Sequence, residues 1–84
     1  MITASEAKEL VAFKAIVTDD FTASWANPIW SDGKLVDYIT ERKFNFGEVV
    51  YCNSWRPEGM MIKREKDDCP MFVFWRHFKN LEIA

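Results

Sequence analysis

The stretch Met71-Phe72-Val73-Phe74-Trp75-Arg76-His77-Phe78 limits the fold more than any other part of the chain. As extended backbone it sets Met71, Val73, Trp75 and His77 on one side and Phe72, Phe74, Arg76 and Phe78 on the other. Both sides are large and mostly apolar, which predicts a strand that is central or covered on both faces. With 84 residues the chain can build one core but not two, so a single globular domain over residues 1–84 is expected. Seven Phe, four Trp and two Tyr give this short chain a large burial per residue.

Two further strands are predicted upstream. Glu48 to Trp55 and Met60 to Glu65 flank Arg56-Pro57-Glu58-Gly59, where proline second and glycine fourth fit a tight hairpin turn. That reading pairs Trp55 with Met61, Asn53 with Lys63 and Tyr51 with Glu65, and places Val50, Cys52, Met60 and Ile62 on the opposite face.

The N-terminal half reads as helical. Thr3-Ala4-Ser5-Glu6 is a capping box, and Leu10, Phe13 and Val17 follow at amphipathic spacing, which predicts a helix of about four turns ending near Thr18. Residues 20–33 carry Phe21, Trp25, Ile29 and Trp30 without a steady period and read as an aromatic-bearing connection. Leu35 and Ile39 at i, i+4 predict a second short helix over Lys34 to Lys43, capped by Asp32; the competing reading is a strand, because Asp32-Gly33 between apolar pairs is also a hairpin signal. The fold class expected is therefore α+β, with an N-terminal helix and a second short helix packed on a three-stranded antiparallel sheet.

Charge and motif content narrow the function. Residues 1 to 41 hold seven acids against three lysines, while residues 42 to 84 are mildly basic, giving −2 overall and a surface unsuited to a dedicated polyanion binder. Nothing resembles a membrane span, and the acidic N-terminal residues do not suit a secretory signal, which points to a cytoplasmic location. Cys52 and Cys69 form no short-spaced pair and read as reduced thiols, and no metal-ligand spacing or glycine-rich phosphate loop is present, so no metal or cofactor is expected. His77 is the only histidine, and no base-nucleophile-orienter set surrounds it, which favours binding over catalysis.

The binding residues proposed from sequence are Trp55 and Arg56 on the hairpin loop, with Tyr51 and Lys63 beside them, since Trp, Tyr and Arg concentrate binding energy at interfaces. The partner expected is a larger protein or a second copy of the chain. The alternative is a single-stranded nucleic-acid binder that stacks bases on Phe72, Phe74 and Trp75 between Lys63, Arg64, Lys66, Arg76, His77 and Lys79; a small enzyme or metal-binding protein is third. In size, acidity and tryptophan content the chain resembles small accessory or inhibitor proteins such as phages encode, which implies occlusion of a larger partner.

Overall fold

The computed structural model describes the whole chain, Met1–Ala84, and it is mostly β. Helix α1 (Ala4–Leu10) is followed by strands β1 (Phe13–Val17), β2 (Phe21–Ser31), β3 (Lys34–Phe44), β4 (Val49–Asn53), β5 (Gly59–Arg64) and β6 (Met71–Phe74). A 3₁₀ turn (Trp75–Asn80) then leads into β7 (Leu81–Ile83). Five strands form one antiparallel sheet in the order β6-β5-β4-β1-β7, and β2 and β3 form a separate two-stranded hairpin. This corrects the expectation of two helices on a three-stranded sheet.

The capping box is present. Thr3 Oγ1 accepts from the Glu6 amide at 3.1 Å, and Glu6 Oε1 accepts from the Thr3 amide at 3.2 Å. The helix nevertheless stops at Leu10, because Val11 turns to φ 67, ψ −60 and the Ala12 amide bonds back to the Leu10 carbonyl at 2.7 Å, a γ-turn. Phe13–Val17 therefore continues as strand, burying Ala15 and Val17 at period two. The same apolar residues fit a helical spacing, which is why a short run could not be assigned by periodicity alone.

Residues 34–43 are likewise strand. Asp32 (φ 51) and Gly33 (φ 75) both occupy the left-handed region, which makes a two-residue turn of the type whose twist matches a hairpin. Each strand of this hairpin is 11 residues long and the register is unbroken from Phe21↔Phe44 to Ser31↔Lys34. Such strands span about 36 Å at ~3.3 Å per residue. The molecule is correspondingly elongated, 44 × 24 × 20 Å.

The β4–β5 hairpin exists in a register shifted from the expected one: Asn53 pairs with Met61 and Tyr51 with Lys63. Nearer the turn, Arg56 and Gly59 exchange backbone hydrogen bonds of 2.8 and 3.3 Å, so Ser54 is one residue extra, with φ 57. This bulge reverses the alternation and sends Trp55 to the core side, where Val50, Cys52, Met60 and Ile62 are buried. Strand β6 is shorter than the strand expected over Met71 to Phe78 and lies at a sheet edge, not at its centre. Its partner β5 begins at Gly59, opposite Phe74; the Trp75 amide still donates to the Glu58 carbonyl at 3.2 Å, and the chain then coils into the 3₁₀ turn that buries Phe78.

One apolar core joins the helix, the sheet and the base of the long hairpin, with Ala7, Phe21, Ala23, Phe44, Phe78 and Leu81 among its buried members.

Candidate functional site

The feature that the fold presents outward is the β2–β3 hairpin, here called the arm. Its base is fixed from several sides. Phe21 and Phe44 are cross-strand partners and stack at 4.9 Å, and Phe21 also stacks on His77 at 5.3 Å. Trp25 lies on Phe72 and Phe74 of β6, at 4.8 and 5.8 Å. Beside it, a cleft of about 280 Å³ is lined by Trp25, Asn27, Thr40, Arg42, Met61 and Phe72.

An ionic cluster fastens β3 to the β5–β6 loop. Arg64 donates from Nε and Nη2 to the Asp67 carboxylate at 2.9 to 3.2 Å, and Arg42 Nη1 donates to the same carboxylate at 3.2 Å and to the Cys69 carbonyl at 3.1 Å. Arg64 Nη1 also reaches the Lys43 carbonyl at 2.6 Å, and its guanidinium lies 4.9 Å from the centre of the Phe44 ring. Burial would raise the Asp67 carboxyl, but the hydrogen bonds from Arg64 and the charges of Arg42 and Arg64 outweigh it and hold the group below its ordinary value.

Beyond Trp25 the arm has nothing packed against it. Ile29, Trp30, Leu35, Val36, Tyr38 and Ile39 are each exposed by 40 to 75%. Cross-strand partners share a face, so Asn27 with Tyr38 and Ile29 with Val36 continue the side that carries Trp25, while Ala26 with Ile39 and Trp30 with Leu35 occupy the other. The charges along the arm balance: Asp32, Asp37 and Glu41 against Lys34, Arg42 and Lys43.

The residues proposed from sequence are placed in two groups. Tyr51 and Lys63 are cross-strand partners on the outer face of the sheet, with Lys14 opposite Tyr51 on its other side and its ammonium 5.6 Å from the ring. Trp55 is held on the opposite side: its indole N–H donates to the Ala4 carbonyl at 3.0 Å, Trp75 lies 5.9 Å away and Lys8 sits 5.1 Å from its ring. Arg56 is exposed and donates to the Trp55 carbonyl at 3.0 Å. The structure therefore does not bring the four together. It also engages the rings on which base stacking would depend, since Phe72 and Phe74 lie under Trp25, and Trp75 packs on Phe78 at 4.7 Å and donates to the Pro57 carbonyl.

Sequence reasoning missed Trp30, Leu35, Tyr38 and Ile39 as a surface. The signal available was Asp32-Gly33, which sets these residues on a hairpin instead of a helix.

The groups that could carry chemistry are placed as follows. Burial pushes the Cys52 thiol up to about 12, so it stays protonated. Cys69 is exposed, and both cysteines are free. Burial, with Arg76 and Lys79 nearby, lowers His77, whose Nε2 is buried without a hydrogen-bond partner. No three His, Cys, Asp or Glu side chains are grouped to hold a metal ion, and no helix is long and apolar enough to cross a membrane. No protein-family model, curated protein or solved structure matches the chain.

Proposed function

We propose that the chain is a non-enzymatic protein-binding module that docks on a larger protein through the arm and occludes the surface it covers. The observation that carries this reading is the concentration of exposed apolar side chains on the distal half of the arm, on both of its faces. An isolated two-stranded hairpin is marginally stable in water, and contiguous exposed apolar patches mark interaction surfaces. Trp30 and Tyr38 are of the residue types that dominate interface energetics, and the turn and the anchored base hold them at little entropic cost. The balanced charge of the arm suits a protein surface better than a polyanion, whose affinity rests on phosphate contacts.

Affinity capture from extract of the native cell, comparing the parent chain with Trp30→Ser/Ile39→Thr, tests the reading. The variant should melt near the parent temperature and lose the protein that the parent retains. Retention of that protein by a folded variant would overturn the proposal.

A further inference from the structure

The two edges of the arm differ. Ser31 and Lys34 flank the two-residue turn, so they form a hydrogen-bonded pair from which the ladder alternates. Leu35, Asp37, Ile39, Glu41 and Lys43 consequently turn their N–H and C=O groups away from β2. The Lys43 carbonyl shows that direction, since Arg64 reaches it from outside. The backbone groups of the other four have no partner on that side. On β2 the outward-turned positions include Pro28, opposite Asp37, which has no N–H to offer, so that edge is interrupted.

The side chains beside the open edge restrict what can pair with it. Asp37, Ile39 and Glu41 share one face, two carboxylates with an apolar group between them. An antiparallel strand laid against β3 sets one residue directly opposite each, and opposite charges there are favourable while like charges are not. A second copy of the chain fits poorly. The two-fold pairing that uses the whole free run, centred on Tyr38, sets Asp37 against Ile39, Glu41 against Leu35 and Lys34 against Arg42. Sliding its centre by one residue either way sets Asp37 against itself or against Glu41.

Resting on the reading that the arm is a protein-binding surface, we infer that the outer edge of β3 takes up an extended segment of the partner as a third strand. That segment carries basic residues four apart on one face, opposite Asp37 and Glu41, with an apolar residue midway opposite Ile39. Backbone hydrogen bonds supply the attachment and the carboxylates select the segment.

The test uses the full chain and two soluble peptides, one centred on Lys-Thr-Val-Thr-Lys and the other with Glu in place of Lys. The basic peptide should slow amide hydrogen exchange at Leu35, Asp37, Ile39 and Glu41 and leave Ala26 and Trp30 unchanged. The acidic peptide should bind at least about tenfold more weakly. N-methylating the ladder-facing amides of the basic peptide should abolish binding, and Asp37→Lys with Glu41→Lys should reverse the preference between the two peptides. Equal affinity for both peptides, or protection on β2 instead of β3, would overturn the inference. So would protection of the β3 amides in a peptide-free dimer seen by sedimentation, which would assign the edge to a second copy. If no peptide protects β3 while Trp30→Ser/Ile39→Thr still loses its captured protein, the edge inference fails and the arm reading stands. If that folded variant keeps the protein, the arm reading itself fails.

Discussion

The sheet body and the arm use similar residues to opposite ends. In β4 every second residue is hidden, Val50 and Cys52 inward and Val49, Tyr51 and Asn53 outward, because a second layer lies against one face. Along β2 and β3 the alternation holds only near the base, where Phe21, Ala23 and Phe44 are buried, and is lost beyond it. Burial in this molecule is thus a property of where an element lies, and an apolar residue marks the core only if some layer reaches it. The body derives its stability from packing. The arm derives its shape from a backbone ladder, a turn and an anchored base, and its apolar residues contribute little to the free fold.

The largest expected effect lies in the body. Phe78→Ala removes a fully buried ring and should destabilise by ~3 to 5 kcal/mol in urea unfolding. A much smaller loss would mean that the 3₁₀ turn can collapse over the cavity and that the body is less tightly packed than the contrast requires.

Asp67→Ala acts at the junction of the two regions. It removes the carboxylate that Arg42 and Arg64 share, leaving Arg42 the Cys69 carbonyl and Arg64 the Lys43 carbonyl and Glu48 at 3.6 Å. The change should cost up to ~3 kcal/mol, no more than the lower end of what breaking a buried pair costs, because those contacts remain and the cluster meets solvent. The result that sharpens the comparison is faster hydrogen exchange in β3 with β4 unchanged. Uniform loosening would show that arm and body unfold together.

Gly59→Ala asks how closely β5 and β6 approach. A Cβ there would meet the Val73 carbonyl oxygen at 2.1 Å, and backbone cannot swing aside, so a loss of ~1 to 3 kcal/mol is expected in the same unfolding measurement.

A smaller effect depends on pH. His77 titrates in the folded chain below its ordinary 6.5, so the unfolded chain takes up its proton first. Stability from this group is complete above about pH 6.5 and is lost as the pH falls through the folded value. The lowered carboxyls of Asp67 and of Glu48, whose burial is outweighed by the Asn45 amide that donates to it and by the charges of Arg64 and Lys66, add a second loss, beginning near pH ~4, where free carboxyls titrate. His77→Phe, which keeps a ring on Phe21, should remove the first decline and leave the second. Unfolding midpoints measured across that range check it.

The smallest effect belongs to the arm. Trp30→Ala or Ile39→Ala should shift the free fold by no more than ~0.5 kcal/mol, as exposed substitutions do. A cost resembling that of Phe78→Ala would mean that the arm folds against something in the free chain, and the contrast would disappear.

Local signals in the sequence were legible and layered ones were not. Thr3 to Glu6 and Arg56 to Gly59 announce a helix start and a turn because every atom involved lies within a few residues. The arm was obscured because Leu35, Val36, Tyr38 and Ile39 place apolar groups on both faces, which erases the alternation that identifies a half-buried strand. The side taken by Trp55 depends on a single residue: the bulge at Ser54 carries no sequence mark, and it alone decides whether that tryptophan joins Tyr51 on the outer face or turns inward. The exposure of the arm is hidden in the sequence for the same reason as its hairpin.

Pro28 has a consequence for assembly. Growth of a β-stack requires each added unit to expose a fresh edge like the one it has covered. Copies of this chain meeting arm to arm through β3 would leave the proline-interrupted β2 edges outermost on the two arms, which opposes the addition of a third arm. The arm is in that sense one-sided: it offers a single uninterrupted edge, that of β3, and pairing there does not create another like it.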